Sequence, residues 1–302
     1  MPTGTIPRLL PFQFAALALA WGSSFLFMRI GLDGLSPIQV VVVRMTLGSA
    51  TLLALCLALR VRLPREPRTW AHISVVSVFL CVIPFSLFAW ATQYIPSGLA
   101  SIYNATTPLM TLLITLAALR SERPHRFQLL GIGVGLTGLM TVLAPWQLEN
   151  SLNSPSLVAQ LACLLATASY GVAFVYLRKF VSPLGVDAVS VAAIQVTIGA
   201  ALLLFAAPFM NWGGVTLSPS VVASMMALGI FGTGLAYIWN TNIVAGWGAT
   251  VASSVTYLSP VIGVALGAVI LGERVAWNHP VGAAVVIAGI ILSRRNPAGR
   301  CA

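Results

Sequence analysis

Apolar residues along this 302-residue chain gather in blocks of roughly 17 to 25, separated by short stretches rich in Gly, Pro, Asn, Ser or Arg. A helix rising 1.5 Å per residue needs about 20 such residues to cross the ~30 Å hydrocarbon core of a bilayer. The pattern predicts ten spans, at 12–31, 37–59, 70–91, 97–119, 127–145, 156–177, 185–209, 219–240, 247–271 and 277–293. The separators LDGLSP, RVRLPREPR, SERPHR, LENSLNSPS, SPLGVD, NWGGVTLSPS and GERVAWN are turn-forming, and none is long enough for a soluble domain. The predicted fold is all-α integral membrane, with ten transmembrane helices.

Composition agrees: 58% of residues are hydrophobic and 7% charged, against about 25% charged in soluble domains. The first block follows Arg8 as a signal peptide would, but no small-x-small cleavage site follows, so it is expected to stay as the first helix. Cys56, Cys81, Cys163 and Cys301 show no CxxC spacing, which points to neither disulfide nor metal site. A net charge of +10 in a soluble chain would suggest nucleic acid. Here thirteen of the sixteen Lys and Arg fall on one side once the amino terminus is placed in the cytoplasm. Arg274 falls opposite, Arg29 at the outer end of span one and Arg44 inside span two. This bias predicts both termini in the cytoplasm, with lipid headgroups rather than nucleic acid as the basic surface's partner.

The chain also repeats. WGSSFLFMR at 21–29 returns as YGVAFVYLR at 170–178, and a shift of about 150 residues aligns other segments too. Thr46 and Gly48 fall on Thr197 and Gly199, and ASIYNATTPL at 100–109 falls on ASSVTYLSPV at 252–261. SER at 121–123 falls on GER at 272–274, and Gly131 and Gly138 fall on Gly282 and Gly289. Two five-helix copies follow, residues 1–148 and 149–302. Five is odd, so the second copy enters the membrane from the opposite side. Inverted repeats are a recurring plan of secondary transporters, which open a midplane site to each side in turn.

The ten spans, the duplicated unit, the WGSSF opening, Pro108 and Pro260, and the LGER step at 271–274 before a glycine-rich helix resemble the drug/metabolite transporter superfamily, in its EamA-domain branch. The resemblance spans essentially the whole chain, and is closest in character to bacterial inner-membrane exporters of the YddG type. It implies export of small amphipathic metabolites, aromatic or hydrophobic amino acids foremost, through a central cavity and without a cofactor. A drug or nucleoside permease with proton coupling is the alternative. A monomer is favoured.

Candidate site residues follow from the repeat. Trp21, Ser24, Phe25 and Met28 share one helix face, as do Tyr170, Ala173, Phe174 and Leu177 in the other copy. They form either helix packing, eased by Gly22 and Gly171, or an aromatic cavity wall. In spans four and nine, Tyr103, Asn104, Ser254, Thr256 and Tyr257 precede Pro108 and Pro260, whose missing backbone donor predicts kinks. Asn104 and Thr256 bind either substrate or a neighbouring helix, the latter bond being worth about 0.6 kcal/mol. WATQY at 90–94 and YIWNTN at 237–242 supply Trp90 as a further substrate-binding candidate and Gln93, Tyr237, Trp239, Asn240 and Asn242 as gate or vestibule candidates, against the interfacial aromatic belt favoured for Tyr94 and Trp247. Arg44 lies seven residues from Pro37, about 10 Å along the helix. A charge at the bilayer centre costs about 2.5–3.5 kcal/mol. Arg44 therefore either contacts substrate or gate, or snorkels outward. Its counterpart is Gln195.

All six acids, Asp33, Glu66, Glu122, Glu149, Asp187 and Glu273, fall in loops or at helix ends, and no His is at mid-span. Facilitated movement is therefore expected over proton antiport. An intramembrane enzyme would need a base near its many serines, and a lipid flippase a lateral groove. GVGLTG at 133–138 matches a dinucleotide fingerprint, but sits inside span five with no preceding strand and reads as helix packing.

Overall fold

The computed structural model describes residues 9–61, 63–118, 126–143, 155–209, 212–247 and 249–293, with span-nine side chains from Val255 onward. Arg8, Arg62, Arg120, Glu122, Arg123, Glu149, Arg294, Arg295, Arg300 and Cys301, and the side chains of Ser253 and Ser254, lie outside the described residues. Within them the chain forms ten apolar helical spans and no strand. Eight are long and apolar enough to cross a membrane: Leu10–Gly31, Pro37–Ala58, Pro67–Ala91, Ser97–Ala118, Arg126–Leu143, Pro155–Leu184, Ala188–Phe209 and Pro219–Ile243. Spans nine and ten are Ala249–Leu271 and Asn278–Ser293.

Local chemistry sets the ends. Pro37, Pro67 and Pro219 stand at the first helical position of spans two, three and eight, where no backbone donor is needed. Span two opens with a capping box, Ser36 N donating to Gln39 Oε1 (2.7 Å) and Gln39 N to Ser36 Oγ (3.4 Å). At the equivalent point of span seven, Asp187 Oδ2 accepts from Val189 N (3.0 Å) and Ser190 N (3.3 Å). Span one is interrupted within WGSSF. Ser23 Oγ donates to Leu19 O (2.6 Å) and Ser24 Oγ to Ala20 O (2.7 Å), back-bonding that bends helices. Span four breaks between Asn104 and Thr107, immediately before Pro108, whereas Pro260 sits inside a continuous span nine.

Three pairs of equivalent helices lie side by side in the bundle. Spans two and seven pack together, as do four and nine, and five and ten. Each pair runs antiparallel. Met45 reaches Gly199 while Ser49 Oγ bonds Thr197 Oγ1 at 2.8 Å. Ser101 lies against Gly263 and Ser97 against Gly267. A methyl group on Gly131 would strike Gly289 O, and one on Gly138 would strike Gly282 O (2.8 Å), so glycines bring spans five and ten into backbone contact. The remaining contacts also exchange in pairs: Gly22 abuts Ile262 of span nine, and Gly171 abuts Met110 and Thr111 of span four. This is the arrangement produced by a two-fold axis in the membrane plane.

Candidate functional site

Span two presents Arg44 to the bundle interior, 6% exposed. Its Nε donates to Thr233 Oγ1 of span eight at 3.0 Å, and its guanidinium carbon lies 3.7 Å from the centroid of the Phe85 ring in span three. Cys81, Phe85 and Phe88 are spaced four and three residues apart, one face of span three. Tyr237 follows Thr233 by one turn, and its hydroxyl is 3.9 Å from Cys81 Sγ. Tyr170 of span six stacks on Phe88 (centroids 6.3 Å, 30°), and Phe25 of span one meets the same ring edge-on (5.2 Å, 76°). Five spans thus converge on one cation ringed by aromatics, with Tyr170, Tyr237 and Cys81 within its electrostatic reach. Among the described residues no carboxylate joins them: Asp33, Glu66, Asp187 and Glu273 lie in loops or at helix ends.

Two segments beside Arg44 are wound as π-helix, Val78–Val82 in span three and Ala227–Leu235 in span eight. They are counterparts under the repeat, one carrying Cys81 and the other Thr233. The wider turn frees backbone positions and is frequent at functional sites. The equivalence continues downstream, where Thr92 Oγ1 donates to Phe88 O (3.0 Å) and Thr241 Oγ1 to Tyr237 O (2.8 Å).

Of the residues singled out from sequence, Phe25, Arg44, Tyr170 and Tyr237 meet in this cluster. Ser24 spends its hydroxyl on its own helix, against Gly232 of span eight. Trp21 and Trp239 are half-buried around a second cluster of Leu17, Ala18, Ala236, Ile243 and Val255. Phe174, the counterpart of Phe25, is 43% exposed and apart from both. Trp90 packs on Tyr94 (5.0 Å) and Gln93 is exposed, its Nε2 donating to Trp90 O (3.2 Å). Tyr103 is fully buried and donates to Gln160 Oε1 at 2.7 Å, a link between spans four and six. Asn104, Pro108, Asn240, Asn242, Thr256 and Tyr257 are half-buried, and Pro260 is buried. Sequence reasoning missed Cys81, Phe85, Phe88 and Thr233. Their signal was the 81/85/88 spacing, read against the charge of Arg44 within span two.

Two stretches of the chain, residues 11–144 and 157–295, each match the EamA-like transporter family. This chain belongs to that family. The matched stretches cover spans one to five and six to ten of the EamA-family bundle. It is 26% identical over 291 residues to an Escherichia coli protein named "Uncharacterized inner membrane transporter YedA", covering 94% of this chain and 91% of that one. A "Probable terminal-alkyne amino-acid exporter" of Streptantibioticus cattleyicolor is 25% identical over 282 residues, 93% and 92% of the two chains. A "Probable amino-acid metabolite efflux pump" of Escherichia coli is 25% identical, covering 92% of each. A crystal structure at 21% identity superposes with a TM-score of 0.66 over 94% of this chain and 97% of its own, a likeness of fold.

The EamA-family halves are tied together at the end of the bundle carrying loops 32–36, 92–96, 212–218 and 272–277. Glu273 accepts from the backbone N–H of Ser97 (2.7 Å, Oε1) and of Gly98 (3.0 Å, Oε2), capping span four from the far half of the chain. Thr216 N donates to Gly34 O (2.9 Å), and Gln39 Nε2 to Gly213 O (3.2 Å). Within the first half, Arg29 Nη1 donates to Thr92 O (3.1 Å) at the carboxyl end of span three, where helix carbonyls favour a cation.

Proposed function

We propose that this chain is a secondary transporter of the bacterial inner membrane that exports small amphipathic metabolites, aromatic or hydrophobic amino acids foremost, by alternating access. Residues 1–148 and 149–302 are the two halves that exchange roles around a central site, in a monomer with both termini in the cytoplasm. The observation that carries this reading is the antiparallel packing of equivalent spans around an interior where a buried cation meets aromatic rings. A two-fold axis in the membrane plane lets the halves swap conformations without changing their internal packing. Relatives named as an amino-acid exporter and an amino-acid metabolite efflux pump support the substrate class. The lack of a carboxylate within the described spans favours movement down the substrate's own gradient over proton exchange.

Counterflow in proteoliposomes, with amino acids, nucleosides and cationic drugs offered with and without a pH gradient, tests this. Amino acids are expected to move, and equally well without the gradient. Strict gradient dependence, or movement of drugs or nucleosides alone, would favour the proton-coupled alternative.

A further inference from the structure

We infer that Arg44 is the anion-binding residue of the central site, and that the substrates are amphiphiles with a free carboxylate whose apolar part lies along Phe25, Phe88 and Tyr170. This deepens the export reading and rests on it for the site's role in transport. A guanidinium this buried is costly without a counter-ion, yet among the described residues neither terminal nitrogen of Arg44 has a hydrogen bond or a carboxylate partner. The side chain is nonetheless held: Nε is fixed to Thr233 Oγ1 at 3.0 Å, and the guanidinium rests on the Phe85 ring at 3.7 Å. That leaves the two-pronged edge of the fork unengaged, the edge that takes a carboxylate through two parallel hydrogen bonds. The groups around it, Cys81, Tyr170 and Tyr237, are a thiol and two phenols, none of them a carboxylate. Phe88 follows Phe85 by one turn and bears the rings of Phe25 and Tyr170, so three spans supply aromatic partners near the fork for the apolar part of such a substrate. Snorkelling, the other use of a membrane arginine, does not apply to a side chain tethered at Nε to another span.

Matched compounds test this on the full-length protein: phenylalanine and leucine, their carboxamides, and 3-phenylpropionate, which keeps the carboxylate and drops the amine. Binding is read as thermal stabilisation in detergent, and transport as counterflow in proteoliposomes. The wild type is expected to bind the amino acids and 3-phenylpropionate at least about tenfold more tightly than the amides, the size of a lost hydrogen bond to a charged group. Arg44→Gln should abolish that preference, and Arg44→Lys, which keeps the charge but loses the fork, should retain part of it. Equal binding of acids and amides by the wild type overturns the inference without any variant, as does no binding by any compound. The two readings fail separately. Amides that move as well as acids leave export standing and remove the anion site; acids that bind through Arg44 but never move leave the site and remove export.

Discussion

At the residue scale, the polar groups divide by whether the protein already satisfies them. Tyr103 looked from sequence like a candidate to touch substrate, but its hydroxyl is spent on Gln160 Oε1 in a fully buried position. Tyr103→Phe is therefore expected to lower stability by about 1–2 kcal/mol, the cost of leaving a buried acceptor short of a donor. The measurement is melting temperature in detergent, with transport retained when assayed below the lowered melting point. Arg44 is the opposite case, half-satisfied by Thr233. The contrast was not legible in the sequence, where both residues appear as polar points in apolar helices. Which one has a partner depends on Gln160 lying across from Tyr103 and only Thr233 across from Arg44, and span-to-span register sets that.

At the element scale, far more was legible. Span positions follow from the length of each apolar block, and the observed helices begin within three residues of the expected starts because Pro37, Ser36, Asp187 and Pro219 mark them, although span six runs on to Leu184, past its expected end at 177. Of the two equivalent prolines, Pro108 follows a break at which Thr107 Oγ1 donates to Asn104 O (2.7 Å), the carbonyl that Pro108 cannot bond, whereas the helix runs on through Pro260. The π-helical turns in spans three and eight had no sequence signature, since winding of this kind reflects what the surrounding spans need to seat. Gly131, Gly135 and Gly138 with Gly282 and Gly289 form the seam of spans five and ten, where backbones touch. Gly138→Val puts a side chain against Val286 N and Gly282 O. It should cost about 1–3 kcal/mol, as overpacking does elsewhere, read as reduced yield and a lower melting temperature. The same change at Gly133, whose added Cβ would meet nothing within 4 Å, is the control.

At the scale of the whole molecule, the end held by Glu273, Gly34 and Gln39 behaves as one fastening. Each bond joins the first half of the chain to the second. Glu273→Gln keeps the shape but removes the charge that complements the start of span four, where exposed N–H groups carry partial positive charge. That end should open more often. Spin labels at Tyr94 and Trp277, both exposed, are expected to report a longer and broader distance distribution, and an unchanged distribution would show that the fastening carries no weight. The repeat was legible from WGSSFLFMR and YGVAFVYLR, but this fastening was not, because it depends on which loops the fold brings together.

The single-sidedness of Arg44 has an electrical consequence. Its counterpart Gln195 is uncharged, so the empty site carries one positive charge, and a site loaded with a monoanion carries none. A full charge moved through the membrane field is worth about 2.3 kcal/mol per 100 mV. Exchange of a monoanion for itself, which cycles only the neutral loaded form, should then be blind to membrane voltage. Net efflux of the monoanion must return the charged empty carrier and should feel it, whereas a zwitterionic amino acid, whose ammonium restores the charge, leaves both halves of the cycle sensitive to the resting potential.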